Sequence, residues 1–288
     1  MRNLLTIDVE EYFQVEGFAD VVRRDDWERY ERRARHSTLE ILDLLDETAS
    51  RATFFVLAWT AERDADLVRE IVRRGHEVAS HGYGHRMVTT QTEAAFRDDV
   101  VRAKALLEDL AGRPVLGYRA PSFSITRETP WAHRVLAETG HAYSSSVFPV
   151  HHDRYGVPDA PRTPWTVDCG AGRRLTELPP LTLRTAGQNV PVAGGGYMRL
   201  FPVRLVEHAV RRMNAEGAPA VIYLHPWDVD PEQPCLPGRA GNRFRHYVNL
   251  GRMAAKLRRL CTSFEFGTMA DHLGLATDRG PSRRLQRA

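Results

Sequence analysis

Long hydrophobic runs are missing from this 288-residue sequence. A bilayer-spanning helix needs about 20 consecutive apolar residues, and a secretory leader needs an apolar core of roughly 7–15 residues. The amino terminus, MRNLLTIDVEEYF, reaches Asp8, Glu10 and Glu11 before such a core can form. We therefore expect neither an export signal nor a membrane span, and hence a cytoplasmic location.

Cysteine is scarce, and the charge is nearly balanced. Cys169, Cys235 and Cys261 are far apart, so neither a disulfide framework nor a paired-cysteine zinc pattern is predicted. The sequence has 40 basic and 37 acidic residues, and the basic ones are scattered or crowded at the carboxyl terminus rather than arranged in one stripe. This pattern argues against nucleic acid as a partner.

Short apolar runs alternate with longer segments of helical period, which is typical of crossover helices connecting the strands of a mostly parallel sheet. The predicted strands are residues 4–7, 52–59, 76–81, 115–120, 220–226 and 263–267. The predicted helices are residues 37–49, 64–75, 90–112, 130–139 and 245–260. Ser37 and a Thr90/Glu93 capping box mark two helix starts. Residues 149–200, rich in proline and glycine, are predicted to be loops or short antiparallel strands.

Periodicity alone leaves two topologies open, an open doubly wound sheet and a closed β/α barrel, and both place functional groups at the carboxyl ends of strands. Six polar residues follow predicted strands and are therefore candidates: Asp8, Glu10, His81, His85, Arg119 and His225. A carboxylate and two imidazoles are a ligand set that suits Zn²⁺ or a similar divalent ion, with positions left open for water and substrate.

The segment SHGYGH, residues 80–85, is the most informative of these. A His-x-x-x-His pair by itself is more often a turn or surface feature than a metal site. Gly82 and Gly84 favour a loop folded closely around something rather than a helix face. Asp8 and Glu10 also have an ordinary interpretation as solvated or paired strand-end acids, but two like charges this close need a cation or donors to stay ionised together.

The order of the motifs carries a family resemblance. TIDVEE (6–11), SHGYGH (80–85), RAP (119–121) and IYLHP (222–226) resemble the motifs of NodB-type polysaccharide deacetylases, carbohydrate esterase family 4. The resemblance covers residues 1–230 and implies an α/β fold of the distorted (β/α)-barrel type. It also implies a hydrolase that removes N-acetyl groups from N-acetylhexosamine residues of a bacterial polysaccharide or its precursor.

The resemblance further implies roles for individual residues. The implied ligands of a divalent metal, zinc or alternatively cobalt or nickel, are Glu10, His81 and His85. Asp8 would act as general base, Arg119 would orient it, and His225 in its protonated form would donate to the leaving amine. Backbone N–H groups of the turn at 121–123 would help to bind the oxyanion. The residues predicted to contact the sugar are Tyr83, Pro121, Phe123 and Trp227.

Two features depart from the family pattern. Asp8-Val9-Glu10 replaces the usual adjacent pair of aspartates, which offsets the metal-binding carboxylate by one residue. The family's fourth motif supplies an Asp and a Trp that orient the acid histidine or line the site. Residues 165–168 and 194–202 are the nearby candidates for it, and the sequence does not assign the role to either.

The carboxyl-terminal part is predicted to be an extension, residues 231–277, packed on the same domain. HPWDVDPEQP (225–234) and RFRHYVNLGRMAAKLRRL (243–260) resemble the extension of deacetylases from exopolysaccharide loci with an exosortase (PEP-CTERM) system. Residues 278–288 are predicted to be a disordered tail.

Two other functions stay open at this point. One is hydrolysis of a small cyclic amide or imide on the same fold, although relatives of that kind often depart from the His-x-x-x-His motif, which is intact here. The other is a catalytically inactive glycan-binding module. The presence of all the acid, base and ligand candidates argues against this alternative. The sequence leaves the identity of the glycan, the metal and the oligomeric state open.

Overall fold

Strands and helices alternate along the chain in the computed structural model, which describes residues 1–152 and 155–275. The predicted tail, 278–288, lies outside the described residues. The strands are β1 (Asn3–Val9), β2 (Thr53–Val56), β3 (Glu77–Ser80), β4 (Gly117–Tyr118), β5 (Tyr143–Ser144), β6 (Trp165–Asp168), β7 (Arg174–Glu177), β8 (Thr182–Thr185), β9 (Gln188–Pro191), β10 (Val221–Leu224) and β11 (Phe266–Gly267). The helices are α1 (Ala34–Glu47), α2 (Ala58–Arg63), α3 (Ala65–Arg73), α4 (Glu93–Ala111), α5 (Trp131–Glu138), α6 (Gly195–Leu200), α7 (Val203–Ala215), α8 (Ala240–Tyr247), α9 (Met253–Ser263) and α10 (Met269–His272).

One curled sheet organises the molecule. Its strand order is β10-β1-β2-β3-β4-β5-β7-β6, and β11 also pairs with the beginning of β1. All pairs in it are parallel except β6 with β7, while β8 and β9 form a separate antiparallel hairpin. The sheet therefore forms an incomplete, distorted barrel, and the predicted α/β fold is confirmed.

Side chains of β1 alternate between the hydrophobic core and the candidate site, because successive side chains point to opposite faces of a strand. Leu5, Ile7 and Val9 are buried in the main hydrophobic core, which also includes residues of α1, α3, α7 and α9. Asp8 and Glu10 have the opposite parity and face the interior of the barrel, where they are 2% and 3% exposed. The apolar pattern of β1 thus dictates where its carboxylates point.

The same alternation operates on β10, the parallel neighbour of β1. Ile222 and Leu224 join the main core, and Tyr223 and His225 point the other way. Ile7 of β1 lies opposite Leu224 in the ladder, so the two strands end side by side. This register brings residues more than 200 positions apart in sequence to one edge of the sheet.

The predicted start of the first helix at Ser37 is wrong, since α1 begins at Ala34. The carboxylate of Glu11 accepts hydrogen bonds from the backbone N–H groups of Arg33 and Ala34, at 2.8 and 3.0 Å. A carboxylate distant in sequence therefore caps this helix, and Ser37 lies inside it with its hydroxyl donating to the Arg33 carbonyl. Periodicity does not reveal a cap of that kind.

Two other helix boundaries also differ from the prediction. Thr92, not Thr90, caps α4, because its hydroxyl accepts from the backbone N–H of Ala95. The helix predicted at 245–260 is instead divided between α8 and α9, where Asn249 adopts a left-handed conformation with φ of 54°.

The prediction of short antiparallel strands within 149–200 is confirmed by β6 to β9, and α6 is an addition to it. Within the described ranges, every helix is too short or too polar to cross a membrane.

Candidate active site

A cavity of about 620 Å³ lies at the carboxyl ends of the central strands. Seven of the predicted site residues line it: Asp8, Glu10, His81, His85, Phe123, His225 and Trp227. Arg119 is fully buried beside Asp8. The topology therefore gathers four sequence motifs into one site.

Glu10, His81 and His85 form the metal-like part of the site. Their candidate ligand atoms all lie within 4.8 Å of one another, and all three residues are buried. Oε2 of Glu10 lies 2.5 Å from Nε2 of His85 and 3.6 Å from Nε2 of His81, yet it has no partner with hydrogen-bond geometry among the described residues. One carboxylate and two imidazoles converging in this way fit a divalent ion such as Zn²⁺.

The loop that carries both histidines is held by α4. The carboxylate of Asp99 accepts hydrogen bonds from the backbone N–H groups of Tyr83 and Gly84, at 2.8 and 3.1 Å. Gly82 has φ of 75°, and a Cβ there would lie 2.8 Å from an Asp99 oxygen. Glycine is therefore required at this position for the loop to fold so closely on α4.

Hydrogen bonding fixes the orientation of one ligand ring. Nδ1 of His81 lies 2.8 Å from the backbone carbonyl oxygen of Arg119. This contact requires a proton on Nδ1 and leaves Nε2 as the lone-pair atom directed at Glu10. A metal-binding histidine commonly donates a hydrogen bond from its other ring nitrogen in this way.

The charges of Glu10 and His85 depend on each other. Burial opposes ionisation of Glu10, but the adjacent imidazoles of His85 and His81 outweigh it and hold the pKa of the carboxyl well below its usual value. Burial likewise disfavours the charged form of His85, but the carboxylate of Glu10 reverses this effect and raises the pKa of the ring. The anionic carboxylate is the form in which Glu10 can bind a cation.

Asp8 is held by Arg119 rather than by the histidine cluster. Nη1 of Arg119 donates to Oδ1 of Asp8 at 2.6 Å and to the Thr6 hydroxyl at 2.8 Å. Nη2 donates to the Ser145 hydroxyl at 2.8 Å, and Nε donates to the Ser145 carbonyl at 3.1 Å. All three nitrogen atoms of the guanidinium therefore donate hydrogen bonds. The other carboxylate oxygen of Asp8, Oδ2, lies 3.9 Å from Nε2 of His225.

His225 approaches both carboxylates, with Nε2 3.8 Å from Oε1 of Glu10 and 3.9 Å from Oδ2 of Asp8, and it has its own supporting group. Oδ2 of Asp228 lies 3.1 Å from Nδ1 of His225 and also accepts a hydrogen bond from its backbone N–H at 2.8 Å. Trp227 stacks on the His225 ring with centroids 4.3 Å apart. Burial lowers the pKa of His225 to about 4, although the carboxylates of Glu10 and Asp8 oppose this shift. The resting imidazole is therefore neutral near pH 7.

Sequence reasoning missed two residues behind His225. Asp228 forms an ion pair with Arg199, which is itself only 1% exposed and lies 5.2 Å from the Trp227 ring. Burial lowers the pKa of Arg199 to about 9. Asp228 was visible as an acid three residues after the histidine in HPWD. Arg199 lies in the segment 194–202, whose role the sequence left unassigned.

Tyr83 and Pro121 are not among the described residues that line the cavity, so their predicted sugar contacts are not supported. The hydroxyl of Tyr83 donates to Glu62 at 2.7 Å, and the guanidinium of Arg102 lies 3.4 Å from the ring centroid. Tyr83 therefore points toward α2 and α4. Pro121 is buried at the start of a short 3₁₀ helix, where its ring supports the turn.

The turn at 121–123 retains one candidate oxyanion donor. Proline has no N–H group, and the Phe123 amide donates to the Ala120 carbonyl at 3.0 Å. Ser122 lines the cavity in a left-handed conformation with φ of 55°. Its backbone N–H is therefore the group of this turn that fits the predicted role.

Comparison with known families divides the chain into two parts. Residues 25–143 match the family described as polysaccharide deacetylase, and residues 145–274 match the family described as domain of unknown function (DUF3473). The segment 25–143 is therefore similar to polysaccharide deacetylases, and it makes up less than half of the 288-residue chain. The first and last motifs, at 6–11 and 222–226, lie outside that segment.

One curated relative is similar over part of its length. A peptidoglycan-N-acetylglucosamine deacetylase of Bacillus cereus is 29% identical over 84 residues, which are 29% of this chain and 39% of that protein. The chain therefore spans about two fifths of that relative's length.

Solved structures show the same fold. One from Mycobacterium smegmatis, described as a candidate polysaccharide deacetylase, superposes with a TM-score of 0.61 at 20% identity, over 99% of this chain and 96% of that one. Puue allantoinase gives a TM-score of 0.56 at 17% identity, over 93% and 87% of the two chains. Because both similarities are of fold alone, the arrangement of side chains has to distinguish between functions.

Proposed function

We propose that this protein is a metal-dependent deacetylase that hydrolyses the acetamide of N-acetylhexosamine residues in a bacterial glycan or its precursor. The observation that carries the proposal is the convergence of two groups in one cavity. A ligand set of Glu10, His81 and His85 faces a proton-transfer pair, Asp8 and His225, whose nearest side-chain atoms are 3.9 Å apart. Cyclic-amide hydrolysis shares the fold, but no specific contact favours it.

Glu10, His81 and His85 would hold the divalent ion, and zinc suits this donor set best. When bound, such an ion polarises the acetyl carbonyl and makes an attacking water more acidic. The chain's own residues then have to orient the amide, stabilise the oxyanion and move one proton. The Ser122 amide is the proposed oxyanion donor.

The proton transfer is divided between Asp8 and His225. Oδ2 of Asp8 accepts a proton from the water, while the hydrogen bond from Arg119 orients the carboxylate. His225 rests in its neutral form, so the proton it delivers is the one that Asp8 has taken from water. Nε2 of His225 donates it to the amide nitrogen as the C–N bond breaks, and the products are acetate and a free amine.

Asp228 is proposed to assist this transfer. Its contact with Nδ1 keeps the proton of neutral His225 on that nitrogen, so that Nε2 faces Asp8. It also stabilises the imidazolium that forms transiently, much as the aspartate of a catalytic triad does. Asp228 thereby takes the orienting role that the sequence left unassigned.

The type of glycan is a narrower part of the proposal. The carboxyl-terminal segment resembles that of deacetylases from exopolysaccharide loci, and it matches a family model separate from the deacetylase model. We therefore favour an exopolysaccharide or its precursor over peptidoglycan as the substrate.

The test compares wild type with His81→Ala/His85→Ala. Bound metal would be determined by elemental analysis, and acetate release from N-acetylglucosamine oligomers would be assayed with and without chelator. We expect near-stoichiometric metal and acetate release in wild type, with both lost in the double variant. His36→Ala is the matched control, because His36 is a surface residue whose side chain is 65% exposed.

Wild type that stays inactive after addition of zinc, cobalt or nickel would overturn the proposal. Equal acetate release by the double variant would instead show that hydrolysis occurs without this ligand set. Loss of activity in His36→Ala would indicate a general effect of histidine removal.

A further inference from the structure

The cavity has an end wall, which we define as residues 15–18 together with Asn242, Arg245 and His246 of α8. All of these residues line the cavity. Neither part of the wall falls within residues 25–143, the segment that matches the polysaccharide deacetylase family. The end wall is therefore built from residues outside the deacetylase match, and its α8 part lies within the segment that matches DUF3473.

A hydrogen bond joins the two parts of the end wall. Nδ2 of Asn242 donates to the carbonyl oxygen of Gly17 at 2.6 Å. A Cβ on Gly17 would lie 3.8 Å from Cγ of Asn242, which is ordinary van der Waals contact. The segment 15–18 and α8 therefore meet without a gap on this side of the cavity.

Stacked rings fix the end wall relative to His225. Trp227 stacks on His225 at 4.3 Å, His246 stacks on Trp227 at 4.4 Å, and Phe18 meets His246 edge-on at 5.2 Å. Nε2 of His246 is hydrogen-bonded to Oε1 of Gln233 at 2.7 Å. Buried rings at these separations are in close contact, so the wall cannot move away without disturbing the proposed acid.

The cavity has the size of a small-ligand site. Its volume of about 620 Å³ falls within the ~300–1,000 Å³ typical of sites that enclose a small ligand. An enzyme that acts on the interior of a polymer needs two exits, one for each direction in which the chain continues. The contact between Asn242 and Gly17 joins two segments that line the cavity, so the cavity is bounded on this side.

We propose that this protein deacetylates the sugar at the end of a glycan chain, or a short precursor, and that the end wall sets this preference. The inference rests on the proposed deacetylase function and adds the substrate's length and position. Asn242 and Arg245 are the proposed specificity-determining residues, because both line the cavity and Asn242 joins the two parts of the end wall.

The first test uses the zinc-loaded full chain and a hexamer of N-acetylglucosamine labelled at its reducing end. Mass spectrometry would locate the free amines. We expect them at one terminal sugar, and a rate per acetyl group roughly tenfold lower on the long polymer glycol chitin. Amines distributed evenly along the hexamer would overturn the inference and leave the deacetylase function intact.

If no acetate is released, a binding measurement tests the end-wall inference separately from the proposed deacetylase function. Loss of hydrolysis on every probe overturns the proposed function, whereas calorimetric titration still measures the affinity for each oligomer. A closed end predicts that affinity stops rising between chitobiose and the hexamer. Affinity that continues to rise with length would overturn the end-wall inference.

The second test compares Asn242→Ala with Phe244→Ala. The first change removes the amide that joins the wall, and the second alters a residue of the same helix that is 60% exposed and does not line the cavity. Asn242→Ala should spread deacetylation to inner sugars, while Phe244→Ala keeps the wild-type pattern. An unchanged product pattern in a folded Asn242→Ala variant would overturn the role of Asn242. If that variant does not fold, the positions of the free amines in the wild-type hexamer products test the inference instead.

Discussion

The two sides of the cavity are built in different ways. On the metal side, His81 and His85 belong to one six-residue motif, and Glu10 directly follows β1. On the acid side, His225 contacts Asp228 and Trp227 on the following turn, and these are supported by groups far away in sequence, Arg199 on α6 and His246 on α8. A local motif can therefore define a ligand set, whereas a buried proton donor takes its properties from tertiary contacts.

The largest expected effect comes from removing the charge on the metal side. Glu10→Gln keeps the shape of the side chain but removes its anionic oxygen, so we expect bound metal to be lost and hydrolysis to fall to the level of chelated wild type. Elemental analysis and acetate release measure both quantities. Wild-type metal content in this variant would mean that the two histidines bind the ion without the carboxylate.

A second variant should lose activity without losing metal. His225→Ala removes a general acid that is typically worth about 10²- to 10⁴-fold, so kcat should fall by that factor while bound metal stays at the wild-type level. Activity and metal content are measured on the same preparation. If metal were lost together with activity, the comparison between two separable sides would be wrong.

A smaller effect is expected from the group behind His225. Asp228→Asn should lower kcat by about 10- to 100-fold, the usual effect of removing a charged outer-shell partner, and should leave KM nearly unchanged. Because an amide stabilises imidazolium less well, the pH dependence of kcat should also move. A variant with wild-type kcat and pH profile would limit Asp228 to a structural role.

The smallest effect concerns stability. Burial lowers the pKa of His141 and of His246 to about 3. The unfolded chain therefore binds more protons between pH 6.5 and 3, so the stability present above pH 6.5 is lost as the pH falls, by about 1.4 kcal/mol per pH unit for each group. His141→Leu should reduce the difference in unfolding free energy between pH 7 and pH 5, measured with urea. Equal differences in wild type and variant would contradict this assignment.

Much of the fold was accessible from the sequence. Apolar runs predicted the central strands because these strands are buried on both faces, and alternation then determined which residues faced the site. The helix boundaries were less accessible, since Glu11 caps α1 from 23 residues away in the chain. The predicted sugar contacts depended on side-chain direction, and Tyr83 points away from the cavity because Glu62 and Arg102 bind its hydroxyl and ring.

By itself, the sequence determined the α/β class, the positions of the motifs and the six residues that follow the strands, because these depend on local periodicity and residue type. The tertiary structure decided that Glu10 rather than Asp8 faces the histidines, that Arg199 supports Asp228 behind His225, and that α8 meets the segment 15–18 beside the cavity. Each of these depends on distances between segments far apart in the chain. Such distances follow from strand register and packing, which no local pattern specifies.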